Sequence, residues 1–326
     1  MTRIVVTDAT FPKLDQERAV AAKWGATLEE ARCASPADVL RAASGTDILL
    51  VQFAQITVEV IEKLAPHAAI IRYGLGLDNI DLQAAQRRGI RVAYVPDYAT
   101  SEVADHTVSL ILAALRRIVA LDRSVRAGSW EGVVSENPIA SFSETTIGFL
   151  GFGRIGREVH ARVRPFGFKT VLFDPVIDAN SPDALQASSV DLDTLFQASD
   201  VLTLHAPLTA QTRHIVNAHR LSQMKASAIV VNTARGALID TEALERALRS
   251  GRLAGAALDV FEKEPLPADA GLRQCSNAIL TPHLAWYSNS AIQRLQALVA
   301  DEMQRYLSGQ PARCSALPTA AAIEQV

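Results

Sequence analysis

Thr146-Ile147-Gly148-Phe149-Leu150 runs directly into Gly151-Phe152-Gly153-Arg154-Ile155-Gly156. The first five residues have the apolar character of a strand buried in a parallel sheet. The glycines that follow suit a tight strand-to-helix turn. Gly151 permits the turn, Gly153 lets the backbone approach a pyrophosphate, and Gly156 lets helix and strand pack closely. Helix-compatible residues continue through Glu158-Val159-His160-Ala161, so the helix N-terminus offers its N–H groups to phosphates. Glycine-rich turns are common, and the loop alone is weak evidence. Asp174 strengthens it, because it ends the next strand roughly 20 residues on, where a carboxylate accepts from ribose hydroxyls. The same charge repels a 2′-phosphate, and Pro175-Val176 brings no cation. NAD(H) is therefore expected over NADP(H).

The position of this loop decides the architecture. A Rossmann sheet begins with its glycine loop, so the roughly 145 residues before it must form something else. Short β-branched runs alternate with helical patterns along the whole chain, the signature of parallel α/β units. Strands are expected at Arg3–Asp8, Asp47–Val51, Ala68–Tyr73 and Arg91–Tyr94, and then at Ile147–Leu150, Thr170–Phe173, Val201–His205, Ala228–Asn232, Gly255–Asp259 and Ala278–Thr281. One long helix is expected from about Ser101 to Arg126, and a last one over Asn289–Leu307 before a frayed Pro- and Ala-rich tail. The fold class is α/β: two doubly wound parallel-sheet domains with a cleft between them, and clefts between domains are favoured ligand sites.

Bulk properties exclude several functions. The net charge is −3, with 32 basic and 35 acidic residues, which gives no footprint for nucleic acid. The longest apolar run, near Thr107–Leu115, meets Arg116-Arg117 at once and is shorter than the roughly 20 residues of a membrane span. Met1-Thr2-Arg3-Ile4 enters a strand without a signal-peptide pattern. Cys33, Cys275 and Cys314 lack metal-ligand spacing, so no metal site is expected, and a cytoplasmic location is.

After the dinucleotide loop come three runs with chemical character. They are Asn232-Thr233-Ala234-Arg235-Gly236, Leu258-Asp259-Val260-Phe261-Glu262-Lys263-Glu264-Pro265 and Thr281-Pro282-His283. Beside a nicotinamide, a cation, a carboxylate and an imidazole are what interconversion of a 2-keto acid and a 2-hydroxy acid requires. An arginine can hold the carboxylate and polarise the carbonyl with its planar fork. A histidine can exchange the proton at neutral pH. A carboxylate bonded to that histidine orients it and favours its charged form. Arg235, Glu264 and His283 each follow a strand and so share one sheet edge. Singly, each also reads as a surface charge or a loop residue; their joint placement favours chemistry. His205-Ala206-Pro207, after another strand, lies on the same carboxyl edge, although a single histidine there is also an ordinary turn residue.

With these motifs in view, the chain resembles the D-isomer-specific 2-hydroxyacid dehydrogenases from Ile4 to about Leu307. The resemblance implies that Arg235, Glu264 and His283 are catalytic, that NAD is the cofactor and that a small 2-keto or 2-hydroxy acid is the substrate. It implies a substrate loop at Ile71–Asp81, with Arg72 as a second cation and backbone N–H groups around Leu75 and Gly76. It adds Thr107, Arg154, Ile155, Thr212, Thr233, Ala234 and Asp259 as cofactor positions. Residues 99–286 would form the Rossmann cofactor domain, and residues 1–98 with 287–326 a flavodoxin-like substrate domain. A homodimer paired through the cofactor domains is also implied.

Within the family, His283-Leu284-Ala285-Trp286-Tyr287-Ser288 is similar to the C-terminal-binding-protein branch. Trp286 then either walls the substrate pocket with an aromatic face or packs an interface. That branch introduces an alternative function, an NAD-sensing corepressor scaffold, disfavoured here because only a short tail follows the last helix. A second alternative is D-3-phosphoglycerate dehydrogenase. A phosphate needs further cations, and Tyr73-Gly74-Leu75 supplies none.

Overall fold

Ile48-Leu49-Leu50-Val51 is buried at every position, as the central strand of a sheet covered on both faces must be. It is the third strand of a unit formed by Met1–Ala99 and Tyr287–Val326; Thr100–Trp286 forms a second unit. The structure, a computed structural model, describes residues 1–130, 139–177 and 187–317.

The first unit runs β1 (Arg3–Val6), α1 (Asp15–Lys23), β2 (Thr27–Glu30), α2 (Pro36–Ala43), β3 (Ile48–Val51), α3 (Val58–Lys63), β4 (Ala69–Arg72), α4 (Leu82–Arg87) and β5 (Arg91–Tyr94). Its five-stranded sheet has the order β2-β1-β3-β4-β5, with every pair parallel. This is the flavodoxin-like order. Strand β2 was not expected. Its Thr-Leu-Glu-Glu sequence alternates exposed and half-buried residues, as an edge strand does, and it carries no apolar run to betray it. Helix α2 begins with a complete capping box between Ser35 and Asp38, a motif whose N-cap side chain contributes about 1 kcal/mol.

The second unit contains α5 (Thr100–Leu115), α6 (Ile118–Arg126), β6 (Thr146–Leu150), α7 (Arg154–Val163), β7 (Lys169–Phe173), β8 (Ser188–Ser189), α8 (Leu192–Ala198), β9 (Val201–Leu204), α9 (Ala218–Gln223), β10 (Ile229–Asn232), α10 (Thr241–Arg249), β11 (Gly255–Leu258) and β12 (Ala278–Leu280). The chain then returns to the first unit as α11 (Asn289–Leu307). The seven strands order as β12-β11-β10-β9-β6-β7-β8, all parallel. Side chains alternate between two cores: Val230 and Leu258 join one, while Ile229, Val231 and Ala257 join the other. Fully burying each Val, Leu or Ile contributes roughly 1.5–3 kcal/mol, so this alternation fixes the strand register.

The structure also departs from expectation in the long helix and in the tail. The single helix over Ser101–Arg126 is two helices, because Arg117 adopts φ 53° between α5 and α6. A left-handed residue cannot continue a right-handed helix. The tail is also anchored further than expected. Ser315 bridges Ala93 in antiparallel fashion, Ala316 N donates to Val92 O, and the buried Glu302 carboxylate accepts from Arg313 N at 3.0 Å. Residues 318–326 lie outside the described residues.

Strand β6 pairs with β7 on one side and β9 on the other. The chain winds outward through β7 and β8, then returns across β6 to begin β9. That reversal is the topological switch point at which α/β sheets bind ligands. Among the described residues no helix is long and apolar enough to cross a membrane, and no cluster of His, Cys, Asp or Glu is arranged to hold a metal ion.

Candidate active site

The glycine loop sits at this switch point. Gly151 has φ +87°, and a Cβ there would lie 2.7 Å from Ala206 N, so the turn after β6 packs against the chain leaving β9. A Cβ on Gly156 would lie 2.9 Å from Gly151 O, whereas one on Gly153 would meet open space. Close packing thus explains the first and third glycines. The second is open outward, as an approaching phosphate requires. Gly153 is the N-cap of α7 and supplies no side-chain cap; Arg154 is exposed and Ile155 half-buried. At the end of β7, Asp174 accepts from Phe152 N at 2.7 Å and from Val176 N at 2.9 Å. Its carboxylate is held against the loop, where it can still accept from a ribose. These residues fit a dinucleotide.

His205 stacks on Phe149, with centroids 6.1 Å apart, and its Nε2 meets Thr203 Oγ1 at 3.0 Å. By exposed area it is only half-buried, yet crowding by protein pushes its imidazole down to about 3. A ring stacked on a buried aromatic is desolvated even where one edge shows. His205 is therefore neutral at physiological pH and unsuited to proton delivery. Ala206 is buried and Pro207 exposed. Thr212 Oγ1 donates to Pro207 O at 2.6 Å, which closes this loop on itself.

Arg235, Glu264 and His283 follow β10, β11 and β12, three neighbouring parallel strands, at their carboxyl ends. Around Arg235 the turn is shaped by Asn232, which is fully buried: Oδ1 accepts from Ala234 N at 3.0 Å and Nδ2 donates to Arg235 O at 2.8 Å. The guanidinium Nη1 donates to Ala234 O at 2.7 Å. Thr233 Oγ1 meets Thr107 Oγ1 of α5 at 2.7 Å, and both threonines are buried.

Gly236 couples this turn to the next. A Cβ on it would fall 1.9 Å from the carbonyl carbon of Phe261 and 2.4 Å from Glu262 N. Only a glycine lets the backbone ahead of Glu264 pass so close. Gly236→Ala is expected to cost about 1–3 kcal/mol of stability through overpacking and to lower turnover, since the strain displaces Arg235 and Glu264 together. Urea unfolding and steady-state kinetics on the variant check this; wild-type values in both would contradict it.

Glu264 and His283 form a pair. His283 Nδ1 lies 2.6 Å from Glu264 Oε2, and Glu264 Oε1 accepts from Phe261 N at 2.8 Å. With the carboxylate ionised, Nδ1 is the donor, and Nε2 becomes the nitrogen that can exchange a proton with a ligand. Each partner's side chain keeps about a third of its surface exposed, 31%, so the pair is reachable.

The histidine loop is held from below by Asp259. This carboxylate is fully buried, which costs several kcal/mol unless its oxygens are hydrogen-bonded. They are: it accepts from Thr281 Oγ1 at 2.5 Å, Leu284 N at 3.0 Å and Ala285 N at 2.9 Å. Its backbone carbonyl accepts from His283 N at 2.8 Å. His106 of α5 joins through Thr281 Oγ1, at 3.1 Å. His283 itself has φ 55°, an uncommon conformation for a residue with a Cβ, and these bonds sustain it. The Asp259 carboxylate thus shapes the loop that carries His283. Trp286 is 5% exposed and donates from Nε1 to His283 O at 3.0 Å, so it too braces the histidine.

Arg72, Leu75 and Gly76 belong to the first unit. Arg72 Nη1 donates to Tyr73 O at 2.7 Å and lies where a Cβ on Gly74 (φ +134°) would be. Leu75 is exposed and Gly76 half-buried. Sequence reasoning assigned no role to Asn232, Gly236, Glu262, Thr281 or His106. Asn232 carried a signal, because an asparagine ending a buried strand tends to fold back onto its own backbone.

Comparison with known proteins identifies the family. Residues 108–285 match the family model for the NAD binding domain of D-isomer specific 2-hydroxyacid dehydrogenases. A glyoxylate reductase of Thermofilum pendens is 39% identical over 282 residues, 84% of this chain and 82% of that protein. A D-3-phosphoglycerate dehydrogenase of Methanocaldococcus jannaschii is 37% identical over 95% of this chain, which spans 58% of its length. The crystal structure of a glyoxylate reductase from Paecilomyes thermophila superposes with a TM-score of 0.86 at 29% identity, covering 97% of this chain and 98% of that one. The chain belongs to the D-isomer specific 2-hydroxyacid dehydrogenases and is an NAD-dependent oxidoreductase.

Proposed function

We propose that the chain reduces short, unphosphorylated 2-keto acids with NADH. The observation that carries the reading is the 2.6 Å bond from His283 Nδ1 to Glu264 Oε2, at the sheet edge that also bears Arg235 and the glycine loop. Arg235 holds the substrate carboxylate and polarises the carbonyl at C2. His283 gives its Nε2 proton to the oxygen that becomes the hydroxyl, and takes it back in the oxidative direction. Glu264 orients the imidazole through its bond to Nδ1. Bound NADH supplies the hydride for C2. Gly151, Gly153 and Gly156, with the first turn of α7, hold the pyrophosphate, and Asp174 accepts from the ribose. Asp174→Ala should weaken NADH and narrow its advantage over NADPH, read from KM for each cofactor. A wild-type preference for NADPH would contradict this assignment.

The choice of substrate rests on the loop after β4. Beyond Arg72, a second candidate for the carboxylate, it offers Tyr73, Gly74, Leu75, Gly76 and Leu77, and none of these can neutralise a phosphate. Named relatives that reduce glyoxylate point the same way. The stretch His283–Ser288 with Trp286 supports a place in the C-terminal-binding-protein-like branch, although an NAD-sensing scaffold would not need a proton-exchanging pair. The test is kcat/KM for glyoxylate and hydroxypyruvate against 3-phosphohydroxypyruvate. Preference for the phosphorylated acid would replace this reading with phosphoglycerate oxidation.

The partner is a second copy of the chain. Helix α6 buries none of its residues and exposes Ile118, Leu121 and Val125 along one side, with Trp130 beyond, an apolar stripe of the kind that interfaces cover. Sedimentation should give a dimer for the wild type and a monomer for Leu121→Asp with Val125→Asp; a monomeric wild type would refute it. A cytoplasmic setting fits the free thiols of Cys33, Cys275 and Cys314.

A further inference from the structure

Glu262 stands two residues before Glu264 and faces the other way. Its Oε1 meets His214 Nε2 at 2.5 Å and Arg213 Nη1 at 3.9 Å, and its Oε2 accepts from Thr241 N at 3.2 Å. Thr241 is the first residue of α10, after the Asp240 N-cap. Burial alone would raise the Glu262 carboxyl, but the bonds from His214 and Thr241 outweigh it and hold the group below the usual carboxylate range. It is ionised at neutral pH.

These contacts tie together the segments that follow β9, β10 and β11. His214 N donates to Ala237 O at 2.9 Å, and Asp240 N to Val216 O at 3.0 Å, so the stretch after β9 is already fastened to the stretch after Arg235. Glu262 adds the third. The backbone between the two glutamates lies against Gly236 and presents the Phe261 amide that Glu264 Oε1 accepts.

We propose that Glu262 is a positioning residue for the Glu264–His283 pair, acting through the Phe261–Glu262 backbone and its clamp on His214 and the start of α10. The inference rests on the acid–base role given to that pair above. An isolated, partly exposed ion pair contributes little to stability. Here the same carboxylate uses both oxygens to fix the strand of backbone from which the catalytic glutamate is held, and displacing a catalytic group by about 1 Å can cost on the order of 100-fold in rate. Asp259 and His106, which brace the His283 loop through Thr281, belong to a separate support and would be untouched.

The experiment compares Glu262→Ala, Glu262→Gln and His283→Ala with the wild type in NADH-dependent reduction of glyoxylate or hydroxypyruvate. Glu262→Ala should lower kcat roughly 10-fold, leave KM for NADH and keto acid within about twofold, and enlarge the solvent deuterium isotope effect on kcat. Glu262→Gln still accepts from Thr241 N and hydrogen-bonds His214, and it should restore most of kcat. A Glu262→Ala enzyme with wild-type kcat and isotope effect, beside a disabled His283→Ala, overturns the inference and leaves the acid–base reading intact. So does a loss of kcat that glutamine does not restore. An unimpaired His283→Ala enzyme would instead overturn the acid–base reading beneath it.

Discussion

His283→Ala is expected to lower kcat by on the order of 100-fold or more while changing KM little. Reduction of a 2-keto acid places negative charge on the C2 oxygen as the hydride arrives, and an uncaptured alkoxide in a desolvated site is a high-energy species. The imidazole is prepared to capture it. Nδ1 is fixed by Glu264 at 2.6 Å, and the main chain is locked at φ 55° by Asp259 and Thr281. Alanine removes the proton donor and leaves the glycine loop and Arg235 in place, so binding should survive. His205 cannot substitute, because its imidazole is held down to about 3. Steady-state kinetics with saturating NADH decide the matter; unchanged turnover would remove His283 from the mechanism.

Arg235→Ala should damage both parameters, with kcat/KM falling on the order of 1,000-fold. The guanidinium serves the substrate twice, as counter-ion to the carboxylate in the ground state and as a donor to the carbonyl oxygen as charge develops there. The first role sets KM and the second sets kcat. Arg235→Lys is informative alongside it. A lysine keeps the charge but loses the planar fork, so it should recover part of KM and little of kcat. The turn itself should persist, because Asn232 shapes it from a buried position. If Arg235→Ala reduced only turnover, Arg235 would not bind the ground-state carboxylate.

Much of this architecture was legible because parallel α/β units write themselves plainly. Buried runs such as Ile48–Val51 and Val230-Val231 have no polar face to confuse with a surface helix. What escaped notice had weak local signals. β2 is an edge strand with glutamates, β8 is two serines, and the break at Arg117 depends on a left-handed residue that no glycine marked. At the site, the motifs named Arg235, Glu264 and His283 because their chemistry is distinctive. The supports were invisible for a different reason. Gly236 is required by a backbone that arrives from 25 residues further along the chain, and Asp259 by a loop beyond the next strand. Contacts of that range follow from strand order, which sequence spacing does not state. Asp259 and Trp286 show the same limit: that both hydrogen-bond the histidine loop follows from strand order and not from residue type.

Hydride transfer to C2 is tested most directly by isotopic labelling. NADH carrying deuterium at the transferable position of C4 should be oxidised by the purified protein with hydroxypyruvate, and the product examined by NMR and for configuration. The expected product is D-glycerate with one deuterium on C2, formed by the wild type and not measurably by His283→Ala over the same interval. NADH that binds without being consumed, or that is oxidised without placing deuterium on C2, would contradict it.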